Sequence, residues 1–352
     1  MRAIVTGCAG FIGYHLCKRL LGEGFEVIGI DNINAYYDTA LKNARLVRLG
    51  DLKYTGLNTD LGGVSDNFKF YKDDITDHDR LGEIFYENNI GDKDYVVHLA
   101  AQAGIARIFT APLEYINTNI KGFFNILEVC SGRFKPKHVL YASSSSVYGA
   151  NQGIVSECDN VSHPVSLYGV SKKANELLAH AYAHTYNLPL TGMRFFSVYG
   201  PWGRPDMALS IFIKAIFAGE RITLFNHGHM YRSFTYVDDI IESVFRLLDC
   251  IPESNPAWDP TKPDRSISEH PYQVYNIGGY SAITLRDFVT LIEEVTGKKA
   301  LVDLAPMRKC DIEGFRADSD NLLARIGYAP STEMVEGVRK YVEWHKDYYN
   351  IG

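Results

Sequence analysis

Six short apolar runs, RAIVTG, EVIGID, FKFYKDD, DYVVHLAA, HVLYASSS and LPLTGMRFF, alternate with stretches of helical period between residues 2 and 196. Strands that alternate with helices build βαβ units, whose stable solution is a parallel sheet covered by helices on both faces. In the first helical stretch Gly13, Leu16, Cys17, Leu20 and Leu21 fall at i, i+3, i+4, i+7 and i+8, which predicts one buried stripe. The same spacing recurs in Ala174, Leu177, Leu178 and Ala181, so that face is expected to be buried too. The fold expected is α/β: a Rossmann-like doubly wound parallel sheet. After residue 200 the alternation fades into Pro/Gly-rich connections such as YGPWGRPDM and ends in the amphipathic segment EMVEGVRKYVEWHKDYY. This predicts a dinucleotide-binding domain over 1–200 and a smaller mixed α/β substrate-binding lobe over 201–352, with an approximate boundary and room for interleaving. Segments 48–67 and 252–271 are rich in turn formers and read as surface insertions.

GCAGFIG, residues 7–13, follows the first predicted strand and opens the first predicted helix. Gly7, Gly10 and Gly13 allow a tight turn, close approach of a pyrophosphate and close helix–sheet packing, and the anion rests on the helix N-terminus. Phe11 and Ile12 lie inside that turn. Asp31 ends the second strand, where an acid hydrogen-bonds the adenosine ribose and repels a 2′-phosphate, so NAD is expected rather than NADP. Asn32 follows it. Lys42 and Arg45 read as solvated helix charges. Asp74 and Ile75 after the third strand, and Leu99, Ala100 and Ala101 after the fourth, lie where strand ends converge on the nucleotide.

Tyr168 and Lys172 stand four apart and therefore share one helix face. A phenol with a pKa near 10 takes up a proton near neutral pH only when a cation favours its phenolate, and Lys172 supplies one. Ser144, at the end of the fifth strand, is placed to hydrogen-bond a reacting hydroxyl. The set suits removal of a proton from an alcohol while NAD takes its hydride.

Through GCAGFIG, NINAYYD, HLAAQAG, SSSSVYG, HPVSLYGVSKKANE, RFFSVYGPWGRPDMA, YRSFTYVDDI and the AD of FRADSDNL, the chain resembles the extended short-chain dehydrogenase/reductase family. Within that family it looks most like the UDP-glucuronate 4-epimerases, nucleotide-sugar isomerases. The resemblance implies Ser144, Tyr168 and Lys172 as the catalytic set, with Tyr168 as base. It also implies a tightly held NAD that is reduced and reoxidised within each turnover, and UDP-glucuronate and UDP-galacturonate as the interconverted sugars. Arg204, Arg232 and Arg308 are candidates for the diphosphate, because the guanidinium fork pairs with phosphate oxygens. Arg232 and Arg308 match the family's phosphate-contacting positions and Asp311 one that faces the UDP ribose. Ser145, Ser146 and Ser197 match positions that face the sugar, and Asn119 one near the nicotinamide ribose. A homodimer through a helix bundle, built near 115–131 and 169–186, is implied as well. The chain departs from the family pattern at Ile105-Ala106-Arg107-Ile108, at Ser233 and at Lys309-Cys310.

Epimerases of neutral UDP-hexoses or of another UDP-uronic acid are the nearest rivals. A 4,6-dehydratase is disfavoured because Ser145-Ser146-Val147-Tyr148 holds no acidic pair. A non-catalytic sensor of nucleotide-sugar or dinucleotide would be expected to lose Tyr168 or Lys172. The formal net charge of −6 disfavours nucleic acid as a partner. Six scattered cysteines without CxxC spacing, no signal peptide and no long apolar run predict a cytoplasmic protein without a metal site.

Overall fold

The computed structural model describes residues 1–50, 67–104, 106–308 and 312–351. Seven parallel strands form the central sheet: β1 (Arg2–Thr6), β2 (Glu26–Ile30), β3 (Phe68–Tyr71), β4 (Tyr95–His98), β5 (His138–Ser144), β7 (Leu190–Phe195) and β12 (Tyr272–Ile277). Between β5 and β7 lies the short β6 (Gly153–Val155). The spatial order is β12-β7-β5-β4-β1-β2-β3. The order reverses between β1 and β4, and the carboxyl ends of those two strands flank the crevice in which doubly wound sheets bind ligands.

The strands read as nearly unbroken apolar runs because both faces are covered. In β1, Ala3 and Val5 join the core of α1 (Phe11–Gly22) and α2 (Thr39–Leu49). Ile4, pointing to the other face, joins the core of α3 (His78–Glu87) and α4 (Gly122–Ser131). In α1 the expected stripe is buried at Gly13, Leu16, Cys17 and Leu20, and Leu21 is half-buried.

The stripe expected on α5 (Leu167–Tyr186) is not buried. Leu177 is 61% exposed and Ala181 is exposed, and the helix instead buries Ser171, Lys172, Asn175 and Glu176 together with Ala179 and Ala183. A helix that turns chemistry toward a sheet edge must bury polar groups, and each here has partners. Asn175 donates to the Asn119 carbonyl at 2.6 Å, and Glu176 accepts from Arg194 and Ser143.

After β7 come β8 (Ser197–Tyr199), α6 (Ala208–Ala218), β9 (Arg221–Phe225), β10 (Tyr231–Arg232), β11 (Phe234–Tyr236) and α7 (Val237–Leu247). They are followed by β12, β13 (Ile283–Thr284), α8 (Leu285–Thr296), β14 (Leu301–Ala305), β15 (Phe315–Ala317), α9 (Asp320–Ile326) and α10 (Met334–Tyr349). The short strands pair as β8–β11, β9–β14, β6–β15 and β10–β13. β12 closes the edge of the main sheet against β7, so the two halves of the chain interleave. Residues 252–271 hold no helix or strand, and most of 48–67 lies outside the described residues.

Candidate active site

The glycine turn is built against the crevice. Gly7 has φ +73°, and a Cβ there would stand 2.7 Å from the Ala100 nitrogen, so only glycine fits. The Leu99 and Ala100 N–H groups donate to the Thr6 carbonyl and hydroxyl, and Thr6 Oγ1 lies 2.8 Å from His98 Nδ1. Burial, with help from the Lys172 charge, holds His98 at about 3, so at neutral pH the imidazole is uncharged. These bonds pin the loop that carries Ala101 beside the turn.

Asp31 is 8% exposed at the end of β2, and its oxygens accept from the Ala9 and Ile33 N–H groups at 3.2 and 2.8 Å. Asn32 donates to Asp74 at 2.8 Å; Asp74 also accepts from the Thr76 N–H and hydroxyl, and the balance holds its carboxyl below the usual range despite burial. Ile75 is buried and fills the space above Gly122. The reading of Lys42 and Arg45 as solvated charges is corrected: they are 5% and 0% exposed. Lys42 stands 3.8 Å from Asp31 and donates to Asn34 at 2.9 Å. Helix α2 lies against the turn, which rotates these cations inward.

Asn119 sits on a π-helical turn, Tyr115–Lys121, and is 1% exposed. Its oxygen accepts from the Gln102 N–H at 2.7 Å, and its nitrogen donates to the Gln102 carbonyl and to Ser171. Through these bonds Asn119 braces the 99–104 loop and α5.

Ser144, Tyr168 and Lys172 meet at the carboxyl edge of β5. Ser144 caps a 3₁₀ turn, Ser145–Tyr148, by accepting the Ser146 N–H at 3.1 Å. Lys172 Nζ donates to the Ala142 carbonyl at 2.8 Å and lies 6.0 Å from the centre of the Tyr168 ring. Burial lowers Lys172 to about 8. Burial raises the Tyr168 phenol, while the Arg204 charge and a hydrogen bond with Ser144 pull it back down. The cation whose charge bears on Tyr168 in this way is Arg204.

An adjoining cleft of about 700 Å³, open to solvent, is lined by Ser145, Ser146, Ser166, Ser197, Arg232 and Phe315 among others. Arg232 donates to the carbonyls of Tyr231, Glu313 and Ile312, which holds its fork at the cleft wall. Arg204 is not a cleft residue: it pairs with Asp206 through two bonds of 3.0 and 2.5 Å, and Tyr36 donates to the same carboxylate at 2.8 Å. Arg308 also stands outside the cleft lining, with its guanidinium 4.3 Å from the centre of the Phe225 ring. Asp311, Lys309, Cys310 and Ile105 lie outside the described residues. Ser233 is 1% exposed and donates to the Gly279 carbonyl, and Arg107 pairs with Glu114 at 2.9 Å.

The sequence reasoning missed the buried Arg194–Glu176 pair, at 2.8 Å with both side chains 1% exposed, and the Tyr36–Asp206 bond. The i+4 continuation from Lys172 to Glu176 was a usable signal for the first. For Tyr36, which is distant in sequence from Asp206, no local signal exists.

The epimerase model, described as the NAD dependent epimerase/dehydratase family, matches residues 3–278. The chain belongs to this family. It is 45% identical over 350 residues to Protein CapI of Staphylococcus aureus, covering 99% of each chain. It is 40% identical to a probable UDP-glucuronate 4-epimerase of Rhizobium meliloti, covering 99% of this chain and 98% of that one. Among solved structures, UDP-glucuronic acid 4-epimerase from Bacillus cereus, in complex with UDP-glucuronic acid and NAD, superposes with a TM-score of 0.83 at 30% identity, covering 99% of this chain and 100% of the other. The family cofactor fits what is built here: a turn that admits only glycine at Gly7, a helix N-terminus behind it, and the Asp31 carboxyl beside the turn at the end of β2.

Proposed function

We propose that the chain is an NAD-dependent 4-epimerase that interconverts UDP-glucuronate and UDP-galacturonate. The observation that carries the reading is the meeting of Tyr168, Ser144 and Lys172 beside a hydroxyl-lined cleft with Arg232 at its wall. Likeness to the Rhizobium meliloti and Bacillus cereus proteins supports the uronate as substrate.

In this reading NAD supplies a reversible acceptor for the hydride of the sugar C4. Tyr168 takes the proton of the 4-hydroxyl and returns it after the sugar has turned over, so no net redox change results. Ser144 hydrogen-bonds the same oxygen, and Lys172 and Arg204 favour the phenolate. Gly7, Gly10 and Gly13, with Phe11 and Ile12 between them, form the diphosphate turn. Asp31 and Asn32 take the adenosine ribose, Asp74 and Ile75 border the adenine, and the 99–101 loop lines the cofactor. Arg232 anchors the UDP diphosphate, while Ser145, Ser146 and Ser197 bind the sugar with short hydroxyls that leave room for rotation. The chain divides near residue 200, with β12 threading back into the cofactor-binding half.

The protein works as a homodimer in the cytoplasm. The apolar side chains exposed on two neighbouring helical segments, Ile116 and Phe124 on one and Val170 and Leu177 on the other, are the contact face expected of a helix bundle. Among the described residues no helix is long and apolar enough to cross a membrane.

The test is proton NMR of UDP-glucuronate and, separately, UDP-glucose, each incubated with purified protein without added NAD. Conversion of the uronate alone to its C4 epimer is expected, and Tyr168→Phe should lower kcat by about 10²–10⁴. Turnover of UDP-glucose but not of the uronate would replace the substrate assignment with the neutral hexose.

A further inference from the structure

β2 and β4 flank β1, so the loops that follow them stand on either side of the glycine turn that follows β1. At their roots both loops touch that turn: the Gly7 N–H donates to the Ile30 carbonyl at 2.7 Å, and Ala100 lies against Gly7 from the other side. Farther out the two loops meet each other. Gly104, at φ +79°, carries no side chain where a Cβ would run into the Tyr36 hydroxyl and stand 3.2 Å from both Arg204 Nη2 and Asp206 Oδ2. The Tyr36 hydroxyl donates to Asp206 at 2.8 Å, which brings in a third loop, 200–207. That loop is bolted at its root. His15 Nε2 lies 2.9 Å from the Pro201 carbonyl, Arg45 donates to the Trp202 carbonyl at 2.6 Å, and the Trp202 ring packs on Tyr14, Trp344 and Tyr348. Its tip is exposed at Asp206, whose one bond to another loop, among the described residues, is the one from Tyr36.

We propose that Tyr36 is the latch of a strap across the dinucleotide crevice, and that opening of its bond to Asp206 gates the entry and exit of NAD. A dinucleotide resting on the turn lies inside the ring formed by the turn, the 31–36 segment and the 99–104 segment, and its exit runs past the place where Tyr36 meets Gly104 and Asp206. Both sides of the latch are stiffened. Tyr36 is half-buried, with the Arg107 and Arg204 guanidinia each 5.7 Å from its ring centre. Gly104 is held from behind by the Tyr115 hydroxyl, which donates to its carbonyl at 2.6 Å. Arg107 belongs to the segment at which the chain departs from the family pattern, so that departure falls on the strap and not on the turn beneath it. The latch joins protein to protein, so it sets how often the crevice opens and not how strongly the dinucleotide is held. A cofactor reduced and reoxidised within each turnover must outlast many turnovers, and a slow gate supplies that retention. This role depends on NAD as the cofactor and is independent of which sugar is bound.

The experiment uses the full-length protein without any sugar, stripped of cofactor with charcoal, and NADH fluorescence as the probe. Stopped flow reads entry when NADH is mixed with the protein, and exit when excess NAD chases NADH from the loaded protein. Tyr36→Phe keeps the ring and loses the donor, whereas Asp206→Ala loses the acceptor. For Tyr36→Phe we expect entry and exit to quicken by the same factor, about tenfold to a hundredfold for one bond to a carboxylate, with the affinity read by calorimetry unmoved. Asp206→Ala should quicken both as well, and Tyr36→Phe added to it should change nothing further, because each removes the same bond. Rates unmoved in Tyr36→Phe overturn the gate. Faster exit with unchanged entry overturns it too, since Tyr36 would then be a direct contact of the dinucleotide. A wild type that takes up neither NADH nor NAD would overturn the cofactor itself, an outcome distinct from a strap that fails to gate.

Discussion

Lys172 carries opposite demands at the scale of a single residue. In the proposed mechanism its charge favours the Tyr168 phenolate, yet the fold holds its ammonium at about 8, below the free value near 10.4, because the side chain is 1% exposed. Removing the charge disfavours the phenolate, so Lys172→Met should shift the ascending limb of the kcat–pH profile to higher pH and lower kcat at neutral pH. The stability linkage has a definite sign. The folded state binds the proton less tightly than the unfolded chain, so between about 8 and 10.4 the wild type gains stability as pH rises. Lys172→Met lacks that gain. Thermal melts of the two cofactor-free proteins should show the variant losing ground to wild type from pH 8 to pH 10; a constant difference would mean that Lys172 is not held down by burial.

At the scale of elements, α5 is polar inside and apolar outside. Its inner face ends in Glu176, which receives two bonds from Arg194 at 2.8 and 3.0 Å and one from Ser143 at 2.7 Å, next to Ser144 in β5. Glu176→Ala leaves Arg194 buried without its anion, and we expect a loss of about 3–5 kcal/mol in chemical denaturation. Glu176→Gln keeps the shape and should lose less. The outer face carries Leu177, and Leu177→Glu places a charge on the proposed dimer contact. Sedimentation should then show monomers that still hold NAD, because the glycine turn and Asp31 lie on other elements and the two cofactor-binding candidates on α5, Tyr168 and Lys172, lie on its buried face; a persistent dimer would move the contact elsewhere.

At the scale of the whole molecule, the later part of the chain completes the earlier one. β12 pairs with β7 from Tyr272–Leu190 to Ile277–Phe195, and Tyr148 donates to Asn276 at 2.6 Å. Asn276 in turn donates to the Val155 and Asp318 carbonyls. A fragment of residues 1–200 would expose the buried strand β7 as an open apolar edge, which invites aggregation. We expect that fragment to be insoluble on expression and the full chain to unfold in a single transition; a soluble fragment that binds NAD would show that the first half folds alone.

The local parts of this protein were legible in its sequence. Strand–helix alternation, the glycine turn, Asp31 at a strand end and the spacing of Tyr168 and Lys172 are short-range patterns, each imposed by backbone geometry within a few residues. Tertiary structure decided the rest. Periodicity marks an apolar face without saying whether core or solvent meets it, which is why Leu177 was expected inside and lies outside. Charge type marks a cation without saying what burial does to it, which is why Lys42 and Arg45 were expected in water and lie against the dinucleotide turn. The Arg204–Asp206–Tyr36 cluster joins loops that are distant along the chain, and only packing brings them together. Sequence spacing thus determined the alternation of strands and helices and the shared face of Tyr168 and Lys172, whereas which side each face turns, and which charges lose their water, followed from where the whole chain closes on itself.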